Sequence, residues 1–188
     1  MTSLWIDMNR FDDDGMTLIS NSLKNYPYLK RLYVGSNRIT DIGVKSLCEA
    51  LVNHKELIVF DLGLYKSTSD LGELPNNFGD KGAEHIAEFI KKNKSVEIIS
   101  ILHSDITLDG LHKDNEALQQ SDNIVNLNYE QYGLFIPQEL RGAIKTKLES
   151  NIQNKYNMSY EEFCTNKLRY IRGSNKLKNI DSVYRNRM

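Results

Sequence analysis

Apolar and polar positions recur along the chain in a fixed order. Leu4 and Ile6 alternate around Trp5, a polar stretch follows, and Ile19 and Leu23 then stand four apart. The same order returns 28 residues later as Leu32 and Val34 followed by Leu47 and Leu51, and again as Phe60 and Leu62 followed by Ile86 and Ile90. Alternation places the first pair of each unit on one side of a short strand. A spacing of four places the second pair on one face of a helix. Each unit is therefore predicted to be a strand followed by a helix.

Between the two lies Asn-x-(Ile/Phe)-x-Asp-x-Gly, read at Asn9–Gly15, Asn37–Gly43 and Asn76–Gly82. The second step is 39 residues and not 28, so the third unit carries an insertion of about 11 residues near 63–73. A fourth unit follows at Val96, Ile99, Ile101, Ile106, Gly110 and Leu118. It is degenerate: Ser104 stands where the Asn was, Leu108 where the Asp was, and Asp114 where Leu47 and Ile86 were. A half unit closes the series at Ile124, Leu127, Tyr129 and Leu134. The short amide of Asn37 suits bonding to the backbone of the turn it leaves. Gly43 stands where a Cβ would crowd the neighbouring turn. No unit can bury its apolar faces alone, and stacking buries them.

Leu29-x-x-Leu32-x-Val34-x-x-Asn37-x-Ile39, continued by Gly43-x-x-x-Leu47-x-x-x-Leu51, resembles the ribonuclease-inhibitor-type leucine-rich repeat family. The resemblance covers residues 1–135 and implies an α/β solenoid: a short arc with parallel strands on the concave side and helices on the convex side. It also implies a scaffold that grips protein partners on its concave face and nearby loops.

Residues 136–188 read as a helical cap and basic tail. Pro137 suits a helix start, and Leu140, Ile144, Leu148 and Ile152 form a stripe fit to cover the open end of the last repeat. Ser159-Tyr160-Glu161-Glu162 is a capping box. Tyr160, Phe163, Cys164, Leu168 and Ile171 share one face of the helix it opens, and Gly173 ends it. Charge divides in the same place: residues 1–140 carry 13 Lys+Arg against 21 Asp+Glu, and residues 141–188 carry 11 against 4.

Composition adds mainly exclusions. No apolar stretch approaches the roughly 20 residues that span a bilayer, and no signal peptide is read at the N-terminus. Cys48 and Cys164 are too few for a disulfide framework, read as inert structural thiols, and suit a reducing, cytoplasmic setting. No phosphate-binding glycine loop or C-x-x-C occurs. His103-Ser104-Asp105 holds the triad residue types, but neighbours on a strand point to opposite faces. Asp12-Asp13-Asp14 starts a helix, where acids favour the macrodipole. The expectation is a non-enzymatic module without metal or cofactor.

Outward strand positions form columns the scaffold does not need: Trp5, Tyr33, Asp61, Ser100, Asn128, and beside it Asp7, Gly35, Gly63, Leu102, Glu130. Aromatic side chains on a concave surface are frequent interface anchors. The candidate protein-binding residues are Trp5, Asp7, Tyr33, Asp61, Tyr65, Leu102 and Asn128, with the insertion beside them. The alternative is a regulator of a small GTPase. Binding to nucleic acid or membrane is not expected of the dispersed basic residues. Asn-, Lys- and Ile-rich usage suggests an AT-rich genome and, by resemblance, an effector that a bacterium delivers into a host cell. Repeat one begins without a preceding cap, so self-association through that flank is also expected.

The cap reading has a direct test. Ile144→Asp sets a charge against apolar surface and should lower stability by about 3 kcal/mol or more, read as a fall in the thermal melting point. An unchanged melt would make this segment a peripheral arm.

Overall fold

A computed structural model describes residues 1–64 and 74–173. Tyr65, the rest of the insertion through residue 73, and the tail from 174 lie outside the described residues. Five strands pair in parallel in chain order: β1 (Ser3–Trp5), β2 (Arg31–Tyr33), β3 (Val59–Asp61), β4 (Ile98–Ser100) and β5 (Asn126–Asn128). Leu4, Leu32, Phe60, Ile99 and Leu127 lie side by side in the register, so the steps of 28 and 39 residues are the steps of the sheet. Helices α1 (Asp12–Leu23), α2 (Asp41–Leu51), α3 (Asp80–Lys92) and α4 (Leu108–Gln119) follow the first four strands. The main core lies between this helical layer and the inward strand positions Leu32, Phe60 and Ile99.

The loop after β2 is buried at residues 34–37, and the backbone groups there need partners. Two side-chain ladders supply them. Asn37 donates to the carbonyls of Ile6, Val34 and Gly35 at 2.8, 3.0 and 3.1 Å, and its oxygen accepts the Asn9 amide at 3.0 Å. Asn76 donates to Val34 and Leu62 and accepts the amides of Asn37 and Ile39. Each amide thus joins its own repeat to the one before.

The repeat Asp works the other way along the stack. Asp13 accepts the Thr40 amide at 2.8 Å, the Thr40 hydroxyl and the Gly43 amide at 2.9 Å, capping the start of the next helix. Asp41 does the same for Gly79 and Gly82, and Asp80 for the amide and hydroxyl of Thr107. This explains the glycine of the motif: a Cβ on Gly43 would lie 2.6 Å from Asp13 Oδ1, and one on Gly82 would lie 2.9 Å from Asp41 Oδ1. Asp13 lies in the first turn of α1, as the sequence implied, and its carboxylate in addition caps the following helix.

Helix α5 (Gln138–Tyr156) covers the far side of repeat four, where Leu140, Ile144 and Leu148 enter the main core. Pro137 precedes the first helical residue as its N-cap. Asn151 donates to the carbonyls of Ser121 and Ile124, completing the outer loop of that repeat. Beyond the left-handed residue Asn157 (φ 52°) come α6 (Tyr160–Asn166), opened by the Ser159/Glu162 capping box, and α7 (Leu168–Arg172).

Asp114 is the discordant core position. It is fully buried on α4 and neither carboxyl oxygen has a hydrogen-bond partner. Burial holds its pKa well above the ordinary carboxylate range. Because the folded pKa is raised, this side chain costs stability increasingly as pH rises above about 4, the unfolded value. Asp114→Leu should therefore stabilise the protein at pH 7 by roughly 1–3 kcal/mol. The gain should shrink toward pH 4 in paired thermal melts.

Candidate protein-binding surface

Alternation along five short strands turns three rows of residues toward the concave side. The first row is Arg31, Val59, Ile98 and Asn126; the second is Trp5, Tyr33, Asp61, Ser100 and Asn128. The third, just past the strands, is Asp7, Gly35, Gly63, Leu102 and Glu130.

The open corner of this face lies at β1 to β3. Trp5, 40% exposed, stacks on Tyr33 with ring centroids 3.7 Å apart and planes 11° from parallel. Asp7 accepts the Gly35 amide at 2.7 Å, and Asp61 accepts the Gly63 amide at 3.0 Å. Between these side chains lie Gly35 and Gly63, both buried beneath neighbouring groups. A Cβ on Gly35 would overlap the Gly63 carbonyl oxygen, and one on Gly63 would lie 2.5 Å from Ser100 Oγ. Burial pushes Asp7 up to about 6, and the nearby Asp61 charge adds to the rise while the Gly35 amide opposes it. Burial raises Asp61 too, against the Gly63 amide, the Ser100 hydroxyl and the positive Arg172.

The other part of the face is covered from within. Helices α6 and α7 lie on the first row: Phe163 and Ile171 pack with Tyr33, Val59, Ile98, Val125 and Ile152 in a cluster separate from the main core. Arg31 Nε donates to the Ile171 carbonyl at 2.6 Å, and the Tyr33 hydroxyl donates to that of Arg172. Arg172 in turn donates to Asn126 Oδ1 at 2.9 Å.

Comparison with known proteins agrees with this architecture. A family profile described as a leucine rich repeat matches residues 27–48. NACHT, LRR and PYD domains-containing protein 13 of Homo sapiens is 30% identical over 111 residues, which is 59% of this chain and 10% of that protein. FERM domain-containing protein C of Dictyostelium discoideum is 24% identical over 106 residues, 56% of this chain and 6% of that protein. The chain thus spans a tenth or less of these curated relatives. Among solved structures, Leiomodin-1 Actin-Binding Site 2 superposes with a TM-score of 0.69 at 15% identity, covering 84% of each chain. The fold is a leucine-rich-repeat solenoid.

Within this solenoid Trp5, Asp7, Tyr33 and Asp61 come together at one corner. Tyr33 is 6% exposed, its ring sandwiched between Trp5 and the α7 end, so its contribution to the open surface is its support of Trp5. Leu102, just past β4, lies against Gly63, and Asn128 stands apart on β5 at the opposite edge. Sequence reasoning missed Arg31, Val59, Ile98, Asn126 and Arg172. A signal existed in the consecutive apolar residues of Ile58-Val59-Phe60 and Ile98-Ile99: a strand apolar on both faces is covered on both.

The other clusters resolve into structural parts. His103 takes a left-handed backbone (φ 56°) and stacks on Tyr132 at 3.7 Å, and Ser104 donates to the Ile101 carbonyl. Met8 and Ser36 turn out of their strands with the same positive φ at the same repeat position, although no glycine marks it. No helix among the described residues is long and apolar enough to cross a membrane.

Asp7 makes this corner pH-sensitive. Its folded pKa of about 6 exceeds the ordinary 3.8, so its ionisation costs stability as pH rises between those values. Asp7→Asn keeps an oxygen for the Gly35 amide and removes that cost. At pH 7.5 it should stabilise the protein by on the order of 1 kcal/mol after solvent screening. At pH 4 wild type and variant should melt nearly together.

Proposed function

We propose that this protein is a non-catalytic interaction module that grips a protein partner on its concave face, with the repeat-three insertion as a flanking contact. The observation that carries the reading is the open corner. Trp5 is exposed, stacks on the buried Tyr33 beside Asp7, and belongs to neither apolar cluster of the fold. Aromatic anchors of this kind dominate protein interfaces, and solenoids present them on concave surfaces. The 28-residue spacing favours the ribonuclease-inhibitor type within the broader repeat family. The likeness to an actin-binding leiomodin segment supports a protein as the class of partner, and at 15% identity it extends no further.

Trp5, Asp7, Asp61 and Leu102 are the contact residues of this proposal, with Tyr33 beneath Trp5, Asn128 at the far rim and Tyr65 in the insertion. Of the repeat-one flank read from the sequence as Leu4, Ile6, Leu18 and Leu23, Leu23 is buried, while half-buried Leu4 and Ile6 and exposed Leu18 offer a second copy of the chain a place to associate. Free thiols at Cys48 and Cys164 fit a cytoplasmic setting, in the source cell or in a host that receives the protein as an effector.

Crosslinking mass spectrometry on complexes captured from source and host lysates tests the reading. Crosslinks should map to the concave rows, and Trp5→Asp combined with Leu102→Asp should reduce capture at least tenfold. Ile42→Asp, on the exposed side of α2, should leave capture intact. Capture unaffected by the concave pair would overturn the proposal. Faster nucleotide hydrolysis by small GTPases mixed with the protein would favour the regulator reading instead.

A further inference from the structure

We propose that α6–α7 is a plug held in cis on the concave face, and that the surface beneath it accepts in trans an amphipathic helical segment of a protein partner. This deepens the interaction-module reading and rests on it.

The plug is separable from the scaffold. No side chain of α6 or α7 enters the main core, which ends with Leu148 of α5. Their apolar side chains form the second cluster, on the opposite side of the sheet. The connection to α5 is the short stretch Asn157–Ser159, which starts at a left-handed residue. Helices of seven and five residues are too short to persist alone in water, so this segment is helical because it is docked. Releasing it exposes Val59 and Ile98 without opening any contact between repeats.

The way it is held specifies what replaces it. Lys167 Nα–H bonds to the Phe163 carbonyl and Ile171 Nα–H to the Lys167 carbonyl, so the two helices run nearly as one. Phe163 and Ile171 are eight residues apart, just over two turns, and share a face. Arg31 and Tyr33 donate to the carbonyls of Ile171 and Arg172. Terminal carbonyls are offered by every helix whatever its sequence, and the Arg31 charge suits the negative end of the helix dipole. Arg172 meets Asn126 and moderates the Asp61 charge. The occupant is thus a helix with two apolar residues eight apart, a basic residue after the second, and its C-terminal end over Arg31 and Tyr33. Tyr160, Cys164 and Leu168 fill in beside these two, whereas the exposed Glu161, Thr165 and Asn166 face away and are free to vary.

The test uses a fluorescent synthetic peptide of residues 158–173 and full-length protein, read by anisotropy. Phe163→Asp combined with Ile171→Asp releases the plug, and this variant should bind the peptide at least tenfold more tightly than wild type. Val59→Arg in the released chain should abolish the gain. A peptide with the exposed Glu161 and Asn166 exchanged should bind within about threefold, whereas one carrying Phe163→Asp should not bind. Trp5 emission should shift on release, since Tyr33 links its ring to the plug. A chain with a protease site inserted after Asn157 provides a release without core substitutions, and on cutting and dilution it should behave as the double variant. Equal peptide binding by wild type and both released forms would overturn the proposal, as would loss of the cooperative melt of the repeats on cutting. If released chains bind the peptide as described but the Trp5 and Leu102 variants leave partner capture intact, the plug stands and the concave-face reading fails. If the concave pair abolishes capture while plug release changes no peptide binding, the reading stands and the plug fails.

Discussion

Everything in this solenoid depends on giving buried loop backbone a hydrogen-bond partner from the neighbouring repeat. The chain leaves β2 through an irregular turn buried at residues 34–37, where water does not reach the amides and carbonyls. Asn76 alone serves two carbonyls and two amides drawn from repeats two and three. An unmet buried polar group costs about 1–3 kcal/mol, so one such side chain decides whether two repeats can stack. The carboxylates of Asp13, Asp41 and Asp80 extend the same logic to the helix starts, each reaching forward to the next repeat. Stability is therefore shared between neighbours, and no repeat is a folding unit by itself.

Where the ladder weakens, other devices take over. Repeat four has Ser104 in place of the asparagine, and Gln131 from the following half repeat donates to the Ile101 and Tyr129 carbonyls instead. Asp114, unpaired in the helical layer of the same repeat, has no such compensation. The last full repeat is thus the one most in need of α5, whose Ile144 and Leu148 close it and whose Asn151 satisfies its outer loop.

The concave face follows a different rule. Part of it, at Val59 and Ile98, is apolar and calls for cover, and part, at Trp5, stands exposed. The chain covers the first part with its own α6–α7 and leaves the Trp5–Asp7 corner open. Tyr33 joins the two, stacked under Trp5 on one side and bonded to the end of α7 on the other.

The sequence alone determined the repeat, its 28- and 39-residue steps, the inward strand positions, the helix faces and the capping box at Ser159. Each of these is local or periodic, and periodicity survives in a one-dimensional string. It also placed Trp5, Asp7, Tyr33 and Asp61 in adjacent columns, because a regular stack converts equal spacing into spatial neighbourhood. Only the tertiary structure decided where the second C-terminal helix goes. The stripe of Phe163, Cys164, Leu168 and Ile171 says that one face is buried and is silent about what buries it. The answer is a contact between Arg31 and the Ile171 carbonyl, 140 residues apart and outside the repeat. Likewise Asp13 looks from the sequence like a residue of its own helix, and its obligation to Thr40 and Gly43 appears only once two repeats are stacked. Local patterns fix which surfaces must be covered; the partner surface is set by three-dimensional packing.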